Sequence, residues 1–269
     1  MLIDTHCHLD AGEFDADREQ VTDRAIAAGV RAIVIPAVAP GNLSVVAALA
    51  ARRPSLVYAL GIHPLFVNDL PDNWLELLRE ALKRHQDDPQ LVAIGEIGLD
   101  YFVDGIDPQL QERVYRSQLE LAAQFDLPVL LHVRRSQDRL LKYLRQVPVP
   151  GGIAHAFNGS QQQAEQFVAH GFALGFGGAM TFARARQIRR LAAGVAAHSY
   201  VLETDAPDIP PEWIDHQRNE PAQVARIAQV MAELRDTSLA ETVAQSAANA
   251  RRVLPRLDAW LQRPQSQAD

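Results

Sequence analysis

Leu2-Ile3-Asp4-Thr5-His6-Cys7-His8-Leu9-Asp10 is a short apolar run that ends in two histidines one residue apart. On a β-strand alternate side chains share a face, so Asp4, His6 and His8 are expected on one side and Thr5 and Cys7 on the other. Two imidazoles about 7 Å apart along a strand can converge on one metal ion where the strand opens into a cavity. A histidine pair in an exposed strand is the ordinary alternative, and these nine residues alone do not choose. The choice depends on whether other apolar runs also end in metal-competent residues.

Working outward, short β-branched runs alternate with helical patterns along the whole chain. Strands are predicted over 2–5, 31–36, 56–62, 91–95, 129–131, 152–154, 172–176 and 200–202. Helices are predicted over 15–28 (closed by Gly29), 42–52 (stopped by Pro54), 72–86, 108–125, 136–146, 160–170, 182–193, 221–234 and 238–254. Eight strand–helix repeats over about 250 residues favour an α/β fold of the (β/α)₈ TIM-barrel type over an open doubly wound sheet. No linker-like composition divides the chain. A single domain over 1–262 is expected, with a disordered tail over 263–269.

Composition sets the outer bounds. A chain of 269 residues with 48% hydrophobic content is ample for one large core. No stretch is long and apolar enough to span a bilayer, and no secretory signal is expected, so a membrane role is not anticipated. Cys7 is the only cysteine, which excludes an internal disulfide and fits a reducing, cytoplasmic setting. The formal charge of −7 argues against coating nucleic acid through bulk charge. A local metal-bearing site could still take a phosphodiester.

In a barrel the active site lies at the C-terminal ends of the strands. His63 follows the third run in Gly61-Ile62-His63-Pro64, and Glu96 the fourth in Gly95-Glu96-Ile97-Gly98-Leu99-Asp100. His132 follows the fifth, His155 the sixth in Ala154-His155-Ala156-Phe157-Asn158-Gly159, and Asp205 the eighth in Glu203-Thr204-Asp205-Ala206-Pro207. Singly, each has a plain reading: a solvated histidine, a structural ion pair for Glu96, an N-cap for Asp205. Together, His6, His8, His132, His155, Glu96 and Asp205 would be costly to hold at one mouth without a cation. These donors suffice for two ions, with Glu96 bridging. Nitrogen-plus-carboxylate sets suit Zn, Mn or Fe, and Mg where fewer histidines serve each ion.

The remaining candidates divide by position. His85 and His170 sit near predicted helix ends, His198 precedes the last strand, and His216 is expected to be solvated in the loop after it. Cys7 is expected to pack between barrel and helices. Asp10 is read either as orienting a ligand or as a loop carboxylate. The cluster Arg184, Arg186, Arg189 and Arg190 reads as a solvated helix face.

These segments, with Arg218-Asn219-Glu220-Pro221, run in order along the chain and resemble the TatD-family metal-dependent hydrolases, within the amidohydrolase-like TIM barrels. The resemblance implies metal binding by His6, His8, Glu96, His132, His155 and Asp205. It implies a deoxyribonuclease with 3′-5′ exonuclease-like hydrolysis of phosphodiesters by metal-activated water. Larger amidohydrolase relatives often bridge with a carboxylated lysine, and Glu96 in its place favours the TatD branch. Phe157-Asn158-Gly159 and Asp208-Ile209-Pro210 depart from the usual family pattern.

On this reading Asp205, His63 and Glu96 are catalytic, with Asp205 orienting or deprotonating the water. His63, Arg134 and Arg218 are expected to contact substrate, Arg135 to bind a flanking phosphate, and Asp4 and Glu203 to support the ligands. Two divalent ions (Mg, Mn or Zn) are the expected cofactors. DNA or another phosphodiester is the transient partner, and no obligate protein partner is evident. Two other readings stand beside this one: a hydrolase of small-molecule amides or esters, which predicts a narrow enclosed mouth, and a metal-containing nucleic-acid-binding protein without turnover.

Overall fold

The computed structural model describes residues 1–214 and 217–263, so His216 and positions 264–269 of the expected tail lie outside the described residues. Eight parallel strands stand side by side in chain order: β1 (Leu2–Asp4), β2 (Val30–Pro36), β3 (Leu56–Leu60), β4 (Leu91–Asp100), β5 (Val129–Arg134), β6 (Gly152–Ala154), β7 (Phe172–Phe176) and β8 (Tyr200–Leu202). Parallel neighbours need crossovers, and helices supply them. These are α1 (Arg18–Ala27), α2 (Leu43–Ala50), α3 (Trp74–His85), α4 (Pro108–Phe125), α5 (Gln137–Leu144), α6 (Gln161–Ala169), α7 (Arg186–Gly194) and α8 (Val224–Arg235), followed by α9 (Leu239–Val253) and α10 (Pro255–Leu261). The result is a nearly closed TIM barrel, as the strand–helix rhythm predicts.

Period-two alternation explains the layers. Ala32, Val34, Val57, Ala59, Leu130, Ile153, Ala173 and Val201 belong to one buried cluster inside the barrel. Their strand neighbours Ile33, Ile35, Leu56, Tyr58, Leu131 and Leu202 join the cluster made with the helices. Leu254 and Leu257, around the start of α10, are fully buried against the interior cluster and plug the end opposite the site. Burying a leucine this way contributes about 1.5–3 kcal/mol. The sequence pattern predicts two closing helices, but a third exists. Pro255 sits in the first turn of α10, where a missing N–H costs nothing.

The main departure from the predicted strands is β4, which continues five residues past Gly95. Gly98 pairs with His132, and Asp100 with Arg134. A polar Glu96 within the run reads as a strand end, yet the ladder carries on through it. Gly98 is required there: its φ is +149°, and a Cβ would lie 2.2 Å from the His132 carbonyl oxygen. The close approach brings His132 beside the carboxylates of β4.

Between β8 and β1 the ring closes by individual bonds. Thr5 N–H donates to the Leu202 carbonyl at 3.2 Å, Asp205 N–H to that of His6 at 2.9 Å, and Cys7 bridges Ala206. Thr204 donates from its backbone N–H and its hydroxyl to the two oxygens of Asp4, at 2.9 and 2.5 Å.

Candidate metal centre

The C-terminal strand ends surround a cavity of about 1200 Å³, lined among others by His8, His63, Glu96, His132, His155 and Asp205. At its floor Glu96 is 1% exposed and spans two groups of histidines. Its Oε2 lies 3.0 Å from His6 Nε2 and 3.3 Å from His8 Nε2. Its Oε1 lies 2.9 Å from His132 Nδ1 and 3.6 Å from His63 Nε2. Asp205 Oδ1 faces His155 Nε2 at 3.5 Å, His6 Nε2 at 3.7 Å and His8 Nε2 at 3.8 Å. The structure therefore brings together His6, His8, His63, Glu96, His132, His155 and Asp205. It groups them as His6–His8–Glu96, His6–His155–Asp205 and His63–Glu96–His132.

The donor chemistry fits divalent cations. His6 and His8 turn their Nε2 atoms to within 3.3 Å of each other and toward the same carboxylate oxygen. Two ring nitrogens so placed cannot both donate usefully, but both can present lone pairs to one ion. Burial opposes charge on Glu96, yet the surrounding histidines, His6 foremost, hold its carboxyl well below the usual range. Burial likewise opposes charge on Asp205, and His155, His6 and His8 bring it down to about 2. Two anionic carboxylates are thus packed among nitrogen donors. His6 Nδ1 is buried without a hydrogen-bond partner.

Outer contacts fix which ring nitrogen faces the centre. His132 Nε2 lies 3.0 Å from Asp100 Oδ2, leaving Nδ1 for the Glu96 side. His155 Nδ1 lies 3.1 Å from Glu203 Oε1, leaving Nε2 for Asp205. Such carboxylate partners orient an imidazole and raise its basicity. Glu203 fits beneath the centre because residue 175 is glycine; a Cβ there would lie 2.1 Å from Glu203 Oε2. Asp100 is the residue the sequence reading missed. Its signal was present: it lies four positions after Glu96, on the same face if the strand continues.

His63 differs from the others. Its Nδ1 accepts the Leu65 N–H at 3.2 Å, which puts the ring proton on Nε2, toward His132 Nδ1 at 3.0 Å. Burial brings His63 down to about 3, so the ring is neutral near pH 7. Its Nε2 lies 3.6 Å from Glu96 Oε1, so its N–H stands beside the carboxylate as well.

Four residues that turn the chain at the mouth hold left-handed backbone without being glycine: Arg135 (φ 56°), Ala156 (φ 44°), Asp205 (φ 58°) and Ile209 (φ 42°). Each conformation costs on the order of 1 kcal/mol and persists only where its surroundings fix it.

Arg218 lies away from the cavity, and Asp4 touches the ligand segment through that segment's backbone. Asp4 closes β1, and its Oδ1 accepts the backbone N–H of His6 at 3.3 Å. It pairs in register with Ile33 and accepts from Thr204 across the seam. Burial pushes its carboxyl up to about 8. Arg218 does not line the cavity; it donates to Asp17 at 2.7 Å and Glu220 at 2.9 Å, over the Phe14 ring. Its neighbour Asn219 donates to the carbonyls of Thr204, Asp208 and Ile209. The matched segment around 218–221 thus clamps the loop after β8. Arg134 does line the cavity, as do Arg135 and Asp10. Cys7 is fully buried in the cluster made with the helices.

A model of the TatD related DNase family matches residues 3–255. The metal-dependent hydrolase YjjV of Escherichia coli K12 is 44% identical over 251 residues, covering 92% of this chain and 95% of that protein. A 3′-5′ ssDNA/RNA exonuclease TatD from Erwinia billingiae is 34% identical over 260 residues, covering 94% and 98%. The crystal structure of YjjV, a TatD homologue, matches with a TM-score of 0.89 at 41% identity, covering 94% of this chain and 98% of that one. An organophosphorus hydrolase from Deinococcus radiodurans, with 14% identity and a TM-score of 0.61, shares the fold alone. The chain belongs to the TatD family of metal-dependent hydrolases.

Proposed function

We propose that this protein hydrolyses phosphodiester bonds at the 3′ ends of nucleic acid strands, using two divalent ions. The observation that carries the reading is the Glu96 carboxylate, with one oxygen on His6 and His8 and the other on His132. His6, His8, Glu96, His132, His155 and Asp205 would hold the two ions, with Glu96 between them. Ions bound there supply Lewis-acid polarisation of a phosphoryl oxygen and activation of water.

The chain's own groups do the rest. Asp205, 14% exposed and anionic, receives a proton from the attacking water. Water oxygen bonds to phosphorus, the P–O bond to the leaving nucleoside oxygen breaks, and a proton passes to that oxygen. His63, which lines the cavity, would turn its Nε2–H from His132 to a non-bridging phosphate oxygen, and Arg134 would bind a flanking phosphate. Asp100 and Glu203 keep His132 and His155 in the required tautomers. The cavity of about 1200 Å³ exceeds the range of roughly 300–1000 Å³ usual for small-molecule sites, which favours a polymer over a small amide or ester. Among the described residues no helix is long and apolar enough to cross a membrane. The reading also takes residues 1–262 as one domain, working in the cytoplasm with a lone buried Cys7 and without an obligate protein partner.

The test is metal analysis of protein purified without chelator, joined to hydrolysis of 3′-labelled oligonucleotides with Mg, Mn or Zn and after EDTA. Activity is expected to vanish on stripping and return on reloading. Full activity in the fully stripped protein would sink the reading. Turnover of amide esters but not oligonucleotides would move it to the small-molecule alternative.

A further inference from the structure

Beside the metal centre, the loop that follows β4 presents an aromatic ring to solvent on a rigid base. Asp100 Oδ1 accepts the N–H groups of Phe102 and Val103 at 2.8 and 3.0 Å, and Tyr101 N–H donates to the Arg134 carbonyl at 2.9 Å. Asn68 Nδ2 donates to the Gly105 carbonyl at 2.9 Å, tying this loop to the turn that carries Phe66. The backbone is held on three sides, yet the Phe102 side chain is 46% exposed. Phe66 is 43% exposed. Among the described residues these are the two phenyl, phenol or indole side chains left exposed, and both line the cavity.

Two guanidinium groups sit on the Phe102 ring, Arg134 at 3.9 Å and Arg135 at 4.6 Å from its centroid. Consecutive strand residues point to opposite faces. Here they meet one ring because Arg135 takes the left-handed conformation, at φ 56°. Their neighbouring carboxylates are engaged elsewhere: Asp100 with His132 and Asp138 with Gln163. A second groove shares Arg135 and Gln137 with the cavity and runs along α5 past Arg139, Lys142 and Arg145. Arg139 is paired with Glu112, so Arg135, Lys142 and Arg145 make this the cationic path from the cavity on a chain of net charge −7.

We propose that Phe102, clamped by Arg134 and Arg135, is a nucleobase-stacking subsite for single-stranded nucleic acid, and that the α5 groove carries the phosphates beyond it. This rests on the phosphodiesterase reading and names how its substrate is held. Every base has a π-face that can add to a phenyl–guanidinium stack, so the subsite tolerates sequence. In a duplex both faces of each base are already stacked, so a single strand is preferred. The arginines neutralise the adjoining phosphates, which makes binding salt-dependent.

The experiment measures anisotropy of a labelled phosphorothioate deoxythymidine strand of about ten nucleotides on the metal-loaded protein. Phe102→Ala should weaken binding about tenfold, and Phe102→Trp should restore it to within about twofold. Arg135→Gln should weaken binding and lower the salt slope by about one. Leu77→Ala, exposed on α3, should bind as the unaltered protein does. Equal affinity in Phe102→Ala, no rescue by Trp, or a blunt duplex binding as tightly as the single strand would each overturn the subsite, as would no binding at all. The two readings fail separately. Strand binding through Phe102 without hydrolysis overturns the catalytic reading alone, and hydrolysis with unchanged affinity in Phe102→Ala overturns the subsite alone.

Discussion

The two ends of the barrel are built from the same strands and obey opposite rules. At the closed end, Leu130, Ile153 and Val201 meet Leu254 and Leu257 in a wholly apolar plug. Two residues further along the same strand paths, on the same face, stand His132, His155 and Glu203. The step from Leu130 to His132 changes a side chain that stabilises the fold into one that carries chemistry, without any change of scaffold. The closed end lowers free energy by burial. The open end stores unfavourable terms: buried carboxylates, facing nitrogens and left-handed backbone.

If that division is right, substitutions at the two ends should affect different measurements. Asp205→Asn or Glu96→Gln should cut kcat about 10²–10⁴-fold while the unfolding midpoint in urea holds or rises. A normally active variant would break the division. Leu257→Ala at the plug should cost about 2–5 kcal/mol of stability in urea denaturation with kcat unchanged at 25 °C. A large fall in kcat without loss of stability would show the ends to be coupled. Asp100→Asn keeps the shape but weakens the hold on His132, and metal titration should show affinity lower by about 10–100-fold. Arg218→Ala breaks partly exposed ion pairs, so kcat/KM on oligonucleotides should stay within about twofold. A tenfold loss would return Arg218 to substrate binding.

Most of the open end is legible in the sequence because six of the eight apolar runs end in a metal-competent residue. His6, His63, His132, His155 and Asp205 stand just past apolar runs, and the structure gathers them. What escaped had physical reasons. Glu96 and Gly98 make β4 read as finished, which hid Asp100, although the ladder with β5 runs through both. Leu254 followed by Pro255 reads as a helix end, yet the proline opens α10. Asp4 reaches His6 through its backbone N–H and Thr204 through its hydroxyl, contacts that strand parity does not reveal. Arg218 was misplaced because a matched segment does not say which way its side chains turn; here Asp17 and Glu220 decide it.

The seam between β8 and β1 bears on the order of events during synthesis. Asp4 and Thr204 are 200 positions apart, and the bonds between them join nearly the first part of the chain made to nearly the last strand. A nascent chain that has emerged as far as Phe176 already holds His6, His8, Glu96, His132 and His155, but neither Asp205 nor the partner that closes the ring. Asp205 joins the other donors only with the eighth strand. Capture of the second carboxylate and closure of the ring are then one event, so a finished centre marks a closed ring.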